Sequence, residues 1–172
     1  MTMPVEEDSQ PAVNTVRCAG IFYGIALAVF ILDQISKGVV TSFLHPGQAV
    51  EILGPVMSFH LRFNTGATWG MLSGATLWLT IITGVMVAVL LISGLFCARF
   101  DRLLRIALPV LTGGAAGNFA DRVRIGAVVD FIDFHIWPVF NLADTAVVIS
   151  AAMICYYLIA AELNREPQDD TP

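Results

Sequence analysis

Charged residues are scarce in this chain of 172 residues. They make up 13% of it, whereas hydrophobic residues make up 56%, and the mean hydropathy is +0.75. An ordinary soluble domain carries about 25% charged residues. The composition therefore excludes a water-soluble globular domain and predicts a membrane protein.

Basic residues are few as well. Lysine and arginine together number nine and the net charge is −5, so the chain lacks the basic stripe with which a protein follows nucleic-acid phosphates. Nucleic acid is excluded as a partner. Cys18, Cys97 and Cys155 lie far apart, in or beside apolar runs, and offer neither a disulfide framework nor a C-x-x-C site. We interpret all three as small apolar packing residues.

Several catalytic signatures are also missing. The three histidines are isolated and have no metal-ligand spacing such as H-E-x-x-H, so a zinc site is not expected. The sequence has no G-x-S-x-G motif and no phosphate-binding glycine loop. Carboxylate chemistry remains as the candidate.

Four apolar stretches are each long enough to cross a membrane, which takes about 20 helical residues. They cover roughly residues 18–40, 75–98, 103–120 and 139–161, and predict a mainly α, four-transmembrane-helix bundle over 18–161. Residues 1–17 form a polar, acidic extension without the positive start of a cleavable signal peptide, so we expect the first helix to be retained. Residues 162–172 form a polar tail.

The arginines predict the orientation. Arg99, Arg102 and Arg105 crowd the short connection between the second and third helices. By the positive-inside rule this connection is cytoplasmic, and four crossings then place both termini on the same side. The other two connections are expected at the outer surface.

Both outer connections contain strand-like sequence. Residues 56–64 alternate apolar and polar side chains with the period of a half-buried strand. Residues 128–137 are rich in β-branched and aromatic residues and fit either a strand or a short interfacial helix.

Two pairs of residues in the predicted helices have plain structural interpretations. Asp33 and Lys37 are four residues apart on one helical face, and an ion pair is favoured over direct chemistry. Gly113 and Gly117 form a G-x-x-x-G spacing that indicates close helix packing.

Further polar side chains lie where the third helix ends and the fourth begins. The set comprises Asn118, Asp121, Arg122, Asp130, Asn141 and Asp144. Asp121 is expected to pair locally with Arg122. Asp130 and Asp144 are only 14 positions apart, and two neighbouring aspartates of which one keeps its proton are able to activate water and protonate a leaving amine.

In the predicted topology these groups meet at the outer membrane boundary, which suggests one shared site. A proton-coupled transporter or channel subunit is the competing class, because intramembrane carboxylates also form proton relays. A relay would need ionisable groups at several depths, whereas the cytoplasmic halves of these helices lack acids apart from Asp101 in the loop. A purely structural membrane subunit would leave the outer polar clusters without a role.

Several segments resemble the lipoprotein signal peptidase (signal peptidase II) family in order and spacing. They are LDQISK (32–37), FNTGATWG (63–70), GGAAGNFADR (113–122), VVDFIDF (128–134) and FNLADTAVVIS (140–150).

The resemblance implies an aspartyl endopeptidase of the bacterial cytoplasmic (inner) membrane. It would cut a prolipoprotein just before its diacylglyceryl-modified cysteine, without metal or organic cofactor. Apart from this resemblance, we expect a monomer whose partners include membrane lipids. The implied fold adds a small extracytoplasmic β-sheet and an outer loop or helix over the site. The implied catalytic pair is Asp130 and Asp144. The implied substrate-binding and supporting residues are Asn64, Asn118, Arg122, Asn141, Asp33, Lys37 and Asp121.

Overall fold

A computed structural model of the chain describes residues 10–66 and 75–164. Within these ranges the chain is mainly helical, as predicted, and includes one small sheet. The elements are, in order, α1 (Gln10–Phe43), β1 (Ala49–Glu51), β2 (Ser58–Asn64), α2 (Ala75–Ser93), α3 (Leu104–Ile125), β3 (Val128–Asp133) and α4 (Leu142–Leu163). Short 3-10 turns cover Gly54–Val56 and Gly94–Arg99.

Two helices extend beyond the predicted boundaries. α1 begins at Gln10, so part of the predicted polar extension is helical. α3 continues to Ile125 and ends because Gly126 takes the left-handed conformation, with φ 69°. Residues 1–9 and 165–172 of the predicted extension and tail lie outside the described residues, as do residues 67–74, which contain part of the FNTGATWG segment.

Three helical segments of the described chain are long and apolar enough to cross a membrane. They are Thr15–Phe43, Thr76–Arg99 and Leu142–Leu163. α3 differs because its C-terminal end carries amide and charged side chains, and because it packs against each of the other three helices. A Cβ added to Gly113 would lie 2.7 Å from Cβ of Val29, and one added to Gly114 would lie 2.7 Å from the carbonyl oxygen of Ala143. The small residues of α3 therefore allow α1 and α4 to approach it closely.

The sheet is antiparallel, with the order β1-β2-β3. The alternating stretch is strand β2, and the stretch that fitted either a strand or a helix contains strand β3. The register places Arg62 opposite Asp130, after a bulge between Phe59 and Arg62. The inner face of the sheet packs on the end of α1, in a cluster formed by Val40, Leu61, Val129 and Phe131.

The cysteines correct one interpretation from the sequence. Cys18 on α1 and Cys97 in the turn after α2 are paired, with their sulfur atoms in contact and their Cα atoms 6.0 Å apart. Cys155 is free and exposed. Their sequence separation of 79 residues gave no sign of this pairing, which depends on α1 packing against the turn after α2.

Candidate active site

The two aspartates of the predicted pair come from different elements. Asp130 lies within β3 and is 2% exposed. Asp144 lies in the first turn of α4 and is half-buried. The structure therefore places one carboxyl group on the sheet and the other at the start of a helix, at the same end of the molecule.

Asn141 connects the two aspartates. It is the N-cap of α4, and its side-chain oxygen accepts a hydrogen bond of 2.8 Å from the backbone N–H of Asp144. Its side-chain amide donates to Asp130 Oδ1 at 2.7 Å. Helix capping thus fixes which way the amide points, and the same side chain orients Asp130.

Asn118 and Asn64 complete the amide contacts. Asn118 on α3 donates to Asp144 Oδ1 at 2.7 Å, and Asn64 at the end of β2 donates to Asp130 Oδ2 at 3.0 Å. Both oxygens of Asp130 therefore accept an amide N–H. Asp144 Oδ2 has no hydrogen-bond partner among the described residues and is open to a substrate or a water molecule.

Asp130 and Asp133 lie on the same strand but in opposite electrostatic environments. Burial raises the pKa of Asp130 to about 6, and the charge of Asp144 adds to the increase, although hydrogen bonds from Asn64 and Asn141 oppose it. By contrast, hydrogen bonds from the backbone N–H of His135 and from His60 lower the pKa of Asp133. Perturbed acids in clefts are typical of catalytic sites, which favours Asp130 over Asp133 as the functional group.

Behind the pair lies a buried ion cluster centred on Lys37. Its ammonium group is 2.8 Å from Asp33 Oδ2 and 2.8 Å from Asp121 Oδ2, and all three side chains are at most 2% exposed. The third donor of the ammonium group goes to Asn118 Oδ1 at 3.1 Å. The ion pair predicted from the four-residue spacing is confirmed, and the cluster also holds the amide that contacts Asp144.

Asp33 and Asp121 each anchor a second element. Asp33 Oδ1 accepts from the backbone N–H of Ala143 at 2.9 Å, so a carboxylate lies at the N-terminus of α4, where the helix dipole favours negative charge. Asp121 Oδ2 accepts from the backbone N–H of Val129 at 3.2 Å and ties β3 to α3.

One expectation for this region needs correction, namely the partner of Asp121. Asp121 pairs with Lys37 and with Arg124, at 3.2 Å, rather than with Arg122, because adjacent helical residues point in different directions. Arg122 is half-buried, and its only hydrogen bond within the described chain goes to the carbonyl oxygen of Asn118 at 3.4 Å. The structure therefore does not bring Arg122 into contact with the carboxyl pair.

Gln34 belongs to this network, and the analysis of single residues missed it. Its side-chain amide lies 3.1 Å from Asp33 Oδ2, 3.1 Å from Asp121 Oδ1 and 3.3 Å from the carbonyl oxygen of Gly117. The available signal was its position inside the LDQISK segment, next to a buried aspartate.

An apolar cavity of about 400 Å³ opens beside Asp144. Its walls include the aromatic side chains of Phe134, Trp137 and Phe140 and the α4 residue Val148. Trp137 is 70% exposed, so the cavity is accessible from outside the protein. A carboxyl group at the edge of such a cavity suits a largely apolar ligand that carries one reactive polar bond.

Comparison with known proteins agrees with this site. A model of the signal peptidase (SPase) II family matches residues 25–160. The chain is 40% identical over 151 residues to a lipoprotein signal peptidase of Moorella thermoacetica, covering 85% of this chain and 99% of that protein. It is 41% identical over 154 residues to a lipoprotein signal peptidase of Polynucleobacter necessarius, covering 86% and 94%.

Solved structures give the same result for the fold. Two structures of a bacterial membrane enzyme superpose with TM-scores of 0.76 and 0.74, at 32% and 33% identity. Each match covers 88% of this chain and 95% of the other. Together with the membrane-capable helices, these matches show a bacterial membrane protein of the protease type that the family name states. The chain belongs to the signal peptidase II family.

Proposed function

We propose that this protein is a membrane aspartyl endopeptidase that removes signal peptides from diacylglyceryl-modified prolipoproteins, cutting just before the lipidated cysteine. The observation that carries the proposal is the pair of aspartates on β3 and α4, oriented by the shared side chain of Asn141. The names of the relatives supply the substrate class.

The hydrogen bonds suggest which aspartate acts as the general base and which one keeps the proton. Because both oxygens of Asp130 accept amide N–H groups, this carboxyl group is suited to be ionised and to take a proton from water. Asp144 Oδ2, which has no partner in the described chain, would hold the one proton of the pair and polarise the scissile carbonyl group. The proton that Asp130 gains from the water then passes to the leaving amine.

The charges around the pair support one ionised and one protonated aspartate. Lys37 stabilises negative charge near the pair through Asn118, but it is already shared between Asp33 and Asp121. Lys37 is the one buried cation that the described chain places among these four carboxyl groups, and this disfavours full ionisation of all of them, because like charges in a buried site raise each other's energy. One retained proton relieves that repulsion.

The pH dependence of cleavage should show an acid limb near pH 6. Asp130 has a pKa raised to about 6 and acts in its ionised form, so lowering the pH through this value removes the base. We expect kcat/KM to fall towards tenfold per pH unit below that point. The measurement is the cleavage rate between pH 4.5 and 8 in one detergent. A flat profile down to pH 4.5 would contradict the assignment of Asp130 as the base.

The apolar cavity beside Asp144 is proposed to receive apolar parts of the substrate. Its aromatic walls and the apolar α4 residues that line it suit an acyl chain or the apolar stretch of a signal peptide. Membrane lipids would compete for the same surface. A lipidated substrate therefore gains binding energy that its unlipidated counterpart lacks.

The direct test of function uses a matched pair of substrates. Purified protein is incubated with a diacylated prolipoprotein and with the same chain without the lipid, and the products are identified by mass. The proposal predicts one cut, just before the lipidated cysteine, in the first substrate only. Absence of that cut, with the protein folded, would overturn the proposal and leave the transporter class as the one to test.

For the membrane topology, we propose that α3 is a fourth crossing and that both termini are cytoplasmic in the bacterial inner membrane. The site would then lie near the extracytoplasmic face of a monomer. The support is the group Arg99, Arg102 and Arg105 at the opposite end of the bundle from Asp130 and Asp144.

Cysteine labelling tests the orientation. In a chain whose native cysteines are replaced, an impermeant thiol reagent should modify Gln48→Cys and Ile136→Cys in intact cells but leave Asp101→Cys unlabelled. Ile136 is chosen because it is 91% exposed. Labelling only of Asp101→Cys would reverse the orientation.

A further inference from the structure

A second pocket lies at the other end of the bundle from the aspartate pair. It has a volume of about 390 Å³ and lies between the start of α1, the turn after α2 and the start of α3. Its lining residues include Arg17, Ile21, Phe22 and Arg105. Arg17 and Asp33 are 16 positions apart on α1, which corresponds to roughly 24 Å, so this pocket is separate from the site described above.

Arg17 and Arg105 give the pocket a positive charge that no other lining residue in the described chain compensates. None of its lining residues is acidic. Arg17 is exposed and makes no hydrogen bond or ion pair with any other described residue. Arg105 is held in place, because it donates to the carbonyl oxygens of Phe100 and Ala98 at 2.7 and 3.1 Å. The Nη1 donors of Arg105 have no partner in the described chain, so both arginines bring free N–H donors to one cavity.

Asp101, the acidic residue nearest to Arg105 in sequence, does not neutralise the two arginines of the pocket. Asp101 accepts a hydrogen bond from the hydroxyl group of Tyr157 on α4 and is not among the lining residues. Planar guanidinium groups with free N–H donors bind phosphate oxygens through paired hydrogen bonds. The pocket therefore has the chemistry of a phosphate site.

The apolar surface next to the pocket favours a phosphate group that is part of a lipid. The membrane-capable part of α1 begins at Thr15, which places the pocket at headgroup level. From Ile21, which is 54% exposed and lines the pocket, the same face of α1 continues through exposed apolar residues at helical spacing. These are Ala28, Leu32, Ile35 and Val39. An acyl chain would lie along this face below a headgroup bound by the arginines.

We propose that this pocket binds the phosphate group of an anionic phospholipid, with the acyl chains against the exposed face of α1. Basic pockets between helices at a membrane surface have this use in general. The binding would hold this end of the bundle at a fixed depth in an anionic leaflet, independently of the catalytic site.

Native mass spectrometry of the detergent-solubilised protein tests the proposal. Phosphatidylglycerol and phosphatidylcholine with identical acyl chains are titrated against the parent protein, Arg17→Gln and Arg102→Gln. Arg102→Gln is the matched control, since it removes the same charge from the same end of the bundle but Arg102 does not line the pocket. We expect Arg17→Gln to weaken phosphatidylglycerol binding about fivefold, from roughly 1 kcal/mol per basic residue, and the control to change it less than twofold.

Three other outcomes would each overturn the proposal. Equal losses in Arg17→Gln and Arg102→Gln would indicate a diffuse surface charge rather than a pocket. Equal affinity of the parent for both lipids would remove the anionic preference. Displacement of the lipid by glycerol 3-phosphate alone would indicate a site for soluble phosphate. Arg17 is exposed and unpaired in the described chain, so loss of folding is not expected to obscure the result.

Discussion

Replacing Asp130 or Asp144 by asparagine is expected to abolish cleavage of a lipidated substrate. Asparagine has nearly the shape of aspartate but does not take a proton from water. General acid–base groups contribute about 10²- to 10⁴-fold to a rate, and loss of half of a coupled pair should cost at least that much. The measurement is the single-turnover rate of each purified variant, together with a thermal melt that separates inactivity from unfolding.

Asp133→Asn is the matched control, because Asp133 lies three residues further along the same strand. Its Oδ1 accepts a hydrogen bond of 2.7 Å from the backbone N–H of His135, a residue with φ 62°. An asparagine oxygen is able to keep this bond. We expect its rate to stay within about threefold of the parent, since mutational effects away from reacting groups are usually small. A folded Asp130→Asn or Asp144→Asn protein as active as this control would refute the catalytic pair.

Replacing Lys37 by methionine should cause the largest loss of stability. Lys37 is the cation between the buried carboxylates of Asp33 and Asp121, and removing one partner of a buried ion pair costs about 3–5 kcal/mol. The melting temperature of the purified protein should fall by many degrees. Cleavage should fall too, because Asn118 loses a donor that holds it against Asp144.

Arg124→Gln serves as the control for this prediction. Arg124 also contacts Asp121, at 3.2 Å, but its side chain is 61% exposed, and exposed ion pairs contribute about 0–1 kcal/mol. Adding Asp121→Asn to Lys37→Met should recover part of the lost stability, because one of the two buried carboxylates that lost Lys37 is then removed. If Lys37→Met melts at the same temperature as Arg124→Gln, the buried cluster does not stabilise this fold.

Sequence patterns predicted the elements well where one local property determines them. Hydropathy located the helices, and two-residue alternation located β2. The spacing of Asp33 and Lys37 predicted their ion pair, since that pair depends on one helix alone. The same local reasoning left β3 undecided between strand and helix, because a fully buried strand has no alternation to detect.

Local sequence patterns did not predict the contacts between elements. The pairing of Cys18 and Cys97 depends on how α1 packs against the turn after α2. Asp121 pairs with Lys37, 84 positions earlier in the chain, rather than with its neighbour Arg122. The position of Asn141 was predicted, but its dual role as helix cap and as the donor to Asp130 required the path of the chain from β3 into α4.

The central claim is that Asp130 and Asp144 act as one proton-sharing unit, and a double-mutant cycle on the single-turnover rate tests it most directly. Groups that act as a unit show strongly non-additive losses. We predict that the Asp130→Asn/Asp144→Asn protein is no slower than either single variant. If the two losses multiply instead, the aspartates act independently and the shared-proton mechanism is wrong.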